Sequence, residues 1–398
     1  MSKRIVLAYS GGLDTSVAVK WLQLNGGWEV VALAADVGQG GDWDAVRARA
    51  LAAGAVAAEV VDLREEFARD YLAPVIKANS LYEGRYPLVS ALSRPVIAKH
   101  LVEAAHRHGA QAVGHGCTGK GNDQVRFEVS VRALDPELDI VAPVRTWGFT
   151  REDSIHYAYE HGIPITATKE KVYSIDDNLW GRAIECGEME DPWNTPPPGV
   201  WELTRQTATE PIELVIRFEQ GVPVAVDGEA MPLHDLVVHL NGLVGGFGFG
   251  RIDMVENRRV GIKSRETYEA PAALALIDAH RDLESICIER DLAHHKALLE
   301  PRYADLVYDG QWFSPLRQAL DAYIDESQRF VTGDVRVRCE PGRCFVVGRR
   351  ADTGLYDYGL ATYDSADSFR HADAEGFVRL WGLGLQTWSG RQGPGSAP

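Results

Sequence analysis

Along the first 165 residues, short apolar runs alternate with segments whose apolar positions recur at helical spacing. "RIVLAY" is the first such run, and Thr15 to Leu24 behind it reads as a helix stopped by Gly26 and Gly27. "EVVALAADV", "AVAAEVVDL", "AQAVGHG" and "DIVAPV" supply four more strands, with helical stretches such as "DWDAVRARALAAG" between them. Thr150 and the following "REDSIHYAYEHG" open a helix in a capping-box arrangement with Asp153 at its third position. Strands that are apolar throughout, separated by helices, predict a parallel sheet covered on both faces. Right-handed crossovers then set the C-terminal end of every strand on one rim. "SGGLDTS", "DVGQGG" and "GHGCTGKGND" all fall on that rim, so three loops distant in sequence converge.

After about residue 165 the order changes. "PIELVIRFEQGVPVAVDG" has the alternating faces of a hairpin, and "VRVRCEPGRCFVVGRR" is a second hairpin turning at Pro341-Gly342. Between them a long helical pattern runs from Pro271 to about Val307, and another from Ser314 to Val331. This is α+β order and predicts a second domain, with the Pro-rich "DPWNTPPPGVWELT" as an extended connector inside it. The expected fold class is therefore α/β, a doubly wound parallel sheet, followed by an α+β domain and a C-terminal helix. Boundaries are expected at residues 1–165, 166–365 and 366–398, the last ending in the disordered tail "SGRQGPGSAP".

Charge and cysteine content narrow the function. Lysine and arginine total 41 against 57 aspartates and glutamates, a net charge of −16, and no dense basic run occurs. That balance argues against a general nucleic-acid partner. Five cysteines, without a CxxC pair, suggest neither a disulfide framework nor a zinc site. Cys339 and Cys344 flank "EPGR" and are placed to face each other across the hairpin. No apolar stretch approaches the ~18 residues that would span a bilayer. The expectation is a cytoplasmic protein with no membrane partner.

The first rim loop carries the strongest chemistry. Gly11 and Gly12 allow a sharp turn after "AYS", so the backbone N–H groups from Gly11 to Asp14 point into one concavity. The helix behind adds its positive N-terminal end, and Ser10, Thr15 and Ser16 add hydroxyl donors. This is an anion cradle without a lysine, in which Asp14 is the candidate ligand for a Mg²⁺ ion. A GxGxxG fingerprint is missing after the first strand, which disfavours a dinucleotide-dependent dehydrogenase. "GHGCTGKG" falls short of a P-loop because Gly121 stands where Ser or Thr would hold the metal.

"SGGLDTS" resembles the pyrophosphate loop of the N-type ATP pyrophosphatases, an adenine nucleotide alpha hydrolase-like, nucleotide-binding class that splits ATP between its α and β phosphorus atoms. With "DVGQGG", "GHGCTGKGNDQVRFE", "YSIDDNLWGRAIE" and "GRIDMVENRRVGIKSRETYEAP", the chain is similar to the argininosuccinate synthase family from about residue 3 to about residue 370. The resemblance implies citrulline, aspartate and ATP as substrates, AMP and pyrophosphate as products, a citrullyl-adenylate intermediate, and a homotetramer assembled partly by "DAEGFVRLWGLGLQTW".

By the same resemblance, Ala8, Tyr9, Ser10, Gly11, Gly12, Leu13, Asp14, Thr15 and Ser16 line the ATP phosphates, while Ala35 and Gly116 touch the nucleotide. Thr118, Asn122 and Asp123 match aspartate-binding positions, and Asp14 and Asp123 are the expected catalytic groups. Tyr86, Asn122, Arg126, Ser174, Glu256 and Tyr268 match citrulline-binding positions. Ala91 and Ala183 stand where many relatives carry serine, with Ser90 one residue before the first. The open alternatives are a related ATP pyrophosphatase with another acceptor, and a nucleotide sensor without turnover.

Overall fold

The computed structural model describes residues 3–165 and 173–394. The chain forms two compact units, residues 1–353 and 354–398. The first half of the larger unit runs β1 (Lys3–Ala8), α1 (Leu13–Gly26), β2 (Trp28–Asp36), α2 (Trp43–Ala52), β3 (Ala57–Asp62), α3 (Val89–His108), β4 (Ala112–Gly114), α4 (Asp123–Leu134), β5 (Asp139–Val141) and α5 (Arg151–Glu160). All five strands pair in parallel in the order β3-β2-β1-β4-β5. Strand periodicity divides the core in two. Ile5, Leu7, Val30 and Ala32 pack with α1, while Val6, Val31 and Leu33 pack with α3 and α4. The chain reverses direction across the sheet between β1 and β4, so the loops after these strands meet at the switch point.

Local signals act as their chemistry predicts. Thr150 and Asp153 form the reciprocal capping box of α5, and Asp42 caps α2 through the Ala45 N–H. Helix α1 starts two residues before the predicted Thr15 and ends on Gly27 in the left-handed conformation.

The second half continues with β6 (Ser174–Asn178), β7 (Gly181–Glu185), β8 (Ile212–Glu219), β9 (Val222–Val226), β10 (Glu229–Ala230), α6 (Leu233–Gly245), β11 (Arg251–Asn257), β12 (Lys263–Glu269), α7 (Pro271–Cys287), α8 (Arg290–Tyr308), α9 (Pro315–Ser327), β13 (Gly333–Glu340) and β14 (Arg343–Arg350). Two antiparallel sheets result, ordered β11-β12-β7-β6 and β10-β9-β8-β13-β14. The helical pattern read as continuous from Pro271 to Val307 is in fact α7 and α8. Ile288 is extended (φ −103°, ψ 135°), and the Glu289 carboxylate accepts from the N–H groups of Asp291 and Leu292, restarting the helix. In the smaller unit, α10 (His371–Gln392) runs four residues into the stretch read as tail, and residues 395–398 lie outside the described part.

A buried polar cluster fixes α7, α8 and the segment leading to Tyr86. Lys296 bonds Glu284 at 3.0 Å and Glu300 at 2.9 Å, and the Asn79 amide nitrogen donates to both carboxylates. The Gln328 amide nitrogen also donates to Glu284. Carboxylates only accept, so the two amide oxygens are left facing His280, at 2.7 Å from Nδ1 and 2.8 Å from Nε2. Both ring nitrogens of His280 thus meet amide oxygens. Burial, the largest influence, lowers its pKa, with Glu284 pulling the other way. Lys296 sits between the two carboxylates in the interior.

Replacing one partner should leave an uncompensated charge there. Lys296→Met is expected to lose about 3–5 kcal/mol of stability in urea unfolding. A loss below about 1 kcal/mol would show that the cluster relaxes without it.

Candidate active site

At the switch point, Gly11 adopts φ +75°, a conformation that side chains with a Cβ rarely take, and turns β1 into α1. The hydroxyls of Ser10 and Thr15 lie 3.1 Å apart, and the Gly12 N–H donates weakly to Ser10 Oγ at 3.3 Å. Behind them Tyr9 and Ser16 join hydroxyls at 2.9 Å in the core. Asp14 is exposed in the first turn of α1, where partial desolvation raises its pKa and Arg151 lowers it. Ser10, Gly12 and Asp14 are exposed at this turn, whereas Thr15 and Ser16 are buried. Ala35 ends this rim on β2, and its carbonyl accepts from Gln39 Nε2 at 2.7 Å. Gly116, after β4, lies so close to Thr15 that an added Cβ would meet Thr15 Cγ2 at 3.0 Å.

The loop from Gly116 passes exposed Thr118 and enters α4, where a second cluster begins. Asp123 accepts from Arg94 at 2.7 Å and from Arg126 at 2.9 Å, and Arg94 also bonds Asp176 at 2.7 Å. Burial works against ionisation of Asp123, but the two guanidinium groups win and hold its pKa at about 2. Asn122 Nδ2 donates to the Tyr308 hydroxyl at 2.7 Å, and Asn122 Oδ1 accepts the Arg259 N–H at 2.9 Å. Arg126 Nε donates to the Tyr308 carbonyl at 3.0 Å. Gly310 (φ +76°) makes that approach possible, since a Cβ there would sit 2.7 Å from Arg126 Cα.

Glu256 on β11 is buried and accepts short hydrogen bonds from the hydroxyls of both Tyr268 and Tyr308. It is not the surface partner of a neighbouring arginine. The Tyr86 ring stacks on Tyr268 at 4.2 Å, and Tyr82 stacks on Tyr308 at 3.6 Å. The segment that carries Tyr82 and Tyr86 is strained: Asn79, Glu83 and Leu88 are all left-handed without being glycine.

Register explains how the second half contributes. Tyr268 pairs with Ala183, Ala183 with Asp176, and Ser174 with Glu185; Glu256 pairs with Ser264 on the same side. Cross-strand partners share a face. One face of this sheet therefore carries Ser174, Asp176, Ala183, Glu256 and Tyr268. Ala91 is buried in α3, whereas the Ser90 N–H donates to the Tyr86 hydroxyl at 2.9 Å. His115 is a satisfied structural residue, 3.2 Å from Glu128.

The expected residues thus fall into two clusters, one at the turn between β1 and α1 (Ala8 to Ser16, with Gly116) and an acceptor group by expectation (Tyr86, Asn122, Asp123, Arg126, Glu256, Tyr268). Ser174 shares the sheet face without a side-chain bond to the acceptor group among those described. Arg94, Asp176, Tyr82 and Tyr308 were not foreseen. Tyr308 closes an apolar helical pattern with Ala304 and Val307 and reads as core, and Arg94 sits inside a helix before a proline.

A doubly wound parallel sheet with a glycine turn and a helix start at its switch point is the architecture of a nucleotide-binding α/β protein, here carrying a second module that meets the loop after β4. Residues 4–164 match the arginosuccinate synthase N-terminal HUP domain, and residues 173–388 match the arginosuccinate synthase C-terminal domain. The chain belongs to the argininosuccinate synthase family, ligases that join citrulline to aspartate in arginine biosynthesis and bind ATP through the HUP domain. A solved structure described as a predicted subunit of tRNA methyltransferase from Methanocaldococcus jannaschii aligns over 39% of this chain and 76% of that chain, at 13% identity and a TM-score of 0.29, too slight a likeness to carry any argument. Among the described residues, no helix is long and apolar enough to cross a membrane.

The Asp123 ion pairs make a pH prediction with a definite sign. The folded pKa lies below that of the unfolded chain, so the unfolded chain takes up the proton first as pH falls. The contribution, on the order of 2 kcal/mol, should be complete above about pH 4 and lost as pH approaches 2. Urea unfolding across that range, compared with Asp123→Asn, measures it; identical slopes in both proteins would remove Asp123 from the account.

Proposed function

We propose that the enzyme works through a citrullyl-adenylate, releasing pyrophosphate and then AMP, with the residues above in these roles. The observation that carries the reading is the loop between Gly116 and Asn122. Its first residue leans on Thr15 of the cradle, and its last bonds Tyr308 beside Glu256. The site for the departing phosphates and the site for the acceptor are thereby joined by a single short span.

The ureido oxygen of citrulline attacks the α-phosphorus, and the bond to the β-phosphate oxygen breaks. Negative charge develops on the leaving pyrophosphate, where the amides of Gly11 to Asp14, the α1 N-terminus and the Ser10 and Thr15 hydroxyls receive it, while Ser16, bonded to Tyr9 in the core, braces the turn. A Mg²⁺ ion fits this place, since one carboxylate plus phosphate oxygens is a common protein contribution to that metal, and it would supply positive charge beside the phosphates. Ala8, Tyr9 and Leu13 shape the cradle wall, and Ala35 and Gly116 bound the nucleotide. The aspartate amine then attacks the ureido carbon, and AMP departs as the C–N bond forms. Little covalent help from the protein is needed, so positioning dominates.

Tyr86, Tyr268, Glu256, Ser174, Asn122 and Arg126 hold citrulline in this reading, with Arg126 already aimed by Asp123 and by the Tyr308 carbonyl. Thr118 and Asn122 take aspartate. Asp123 has both oxygens committed to arginines, so its part is to orient them rather than to move a proton. Helix α10 exposes Phe377, Leu380, Trp381, Leu385 and Trp388, which suits burial between copies in a homotetramer. A cytoplasmic location fits a biosynthetic enzyme.

Pyrophosphate and AMP should appear from ATP only when citrulline is present, and argininosuccinate only when aspartate is added. ADP as product, or pyrophosphate release indifferent to citrulline, would refute the reading. Asp14→Asn is expected to lower kcat by about 100-fold or more while the melting transition stays put. Glu256→Gln should raise the KM for citrulline about tenfold, equivalent to about 1.4 kcal/mol, and leave the KM for ATP unchanged.

A further inference from the structure

Cys339 and Cys344 stand apart from the chemistry above. Cys117, Cys186 and Cys287 are separate free thiols, whereas these two lie directly opposite each other on β13 and β14 with their sulfurs 3.6 Å apart. The Pro341-Gly342 turn between them sets this register. Proline fixes φ at the first corner and Gly342 takes φ +77° at the second, the order of a type II turn. Glu340 and Arg343 close the two-residue hairpin, so the alternation of an antiparallel ladder puts the cysteines on a pair without mutual backbone hydrogen bonds. Cα atoms in such pairs are about 4.5 Å apart, within the range that a disulfide spans. The ladder beyond is regular for two residues on each strand before the irregularity at Arg336/Val337, and the turn is pinned by the Gly342 N–H on the Phe247 carbonyl at 2.7 Å.

We propose that Cys339 and Cys344 are a reversible dithiol–disulfide site, oxidised by a low-molecular-weight disulfide. The two sulfurs have different access: Cys344 is half-buried and Cys339 is fully buried. The reagent therefore meets Cys344 first. The Cys344 thiolate attacks one reagent sulfur, the reagent S–S bond breaks, and one reduced reagent thiol leaves with a mixed disulfide behind it. Cys339 then attacks the Cys344 sulfur, forms the internal bond and releases the second reagent thiol. Two cysteine thiols are oxidised, one reagent disulfide is reduced, and the two protons end on the released thiols. Hydrogen bonding within the pair lowers the pKa of Cys339 and raises that of Cys344, which makes the first step slow and the resolving step fast. The mixed disulfide should not accumulate in the natural sequence.

Incubating the folded protein with glutathione disulfide tests this. Mass spectrometry should show a species lighter by two hydrogens and carrying no glutathione, peptide mapping should find Cys339 linked to Cys344, and dithiothreitol should restore the starting mass. Cys339→Ser should instead accumulate one glutathione on Cys344, because the resolving sulfur is gone. Both thiols remaining free in the folded natural sequence, or a link that joins either one to another cysteine or to a second chain, overturns the proposal. So does a stable glutathione adduct on Cys344 when Cys339 is present.

Discussion

A carboxylate at the first turn of α4 accepts hydrogen bonds from Arg94 on one side and Arg126 on the other, and Arg94 carries the contact on to Asp176 of β6. Removing these charges from water is expensive, and only mutual saturation offsets it. The geometry is therefore stringent: α3, α4 and the four-stranded sheet must meet at one angle for every lone pair and N–H to find its partner. Arg126 extends the same network to Tyr308, and Tyr308 to Glu256 and Asn122. The cluster proposed to hold the acceptor is thus assembled from both halves of the larger unit.

This arrangement suits a reaction with little covalent demand on the protein. In the proposed reading, the side chains that recognise citrulline are already held by bonds among themselves, which limits reorganisation on binding. Glu256 accepts from two phenols, and Tyr86 lies against Tyr268 as a flat, dry wall. The proposed phosphate site at the turn between β1 and α1 is different in kind. Its candidate donors are backbone amides and small hydroxyls at a helix start, which would receive charge through dipoles oriented by the fold.

The buried Lys296–Glu284–His280 cluster ties together the elements that carry the tyrosines of this network. It ties α7 and α8 to Asn79, a few residues before Tyr82 and Tyr86, and α8 delivers Tyr308. Strain at Asn79, Glu83 and Leu88 persists because these anchors over-determine the segment.

Local chemistry was enough to read the parallel sheet, its rim loops, the Thr150 capping box and both hairpins. Period-two and period-3.6 patterns, glycines at turns and hydroxyls at helix starts act within a few residues of themselves. The break at Ile288 escaped because apolar spacing continues across it, while a glutamate cap outweighs the pattern. Asp14 stood out from the glycine turn around it, whereas Asn122, Asp123, Arg126 and Glu256 could be proposed as site residues only inside long irregular blocks. Their partners were not legible: nothing near Arg94 or Tyr308 in sequence distinguishes an ion-paired arginine from a solvated one, or a hydrogen-bonded phenol from core. Those roles depend on contacts between residues as many as 186 positions apart. Sequence by itself determined the strands, the turns and the glycine bend between β1 and α1, because each is set by neighbours along the chain; the tertiary structure alone decided which charges are buried together, because desolvation and pairing exist only once distant segments have met.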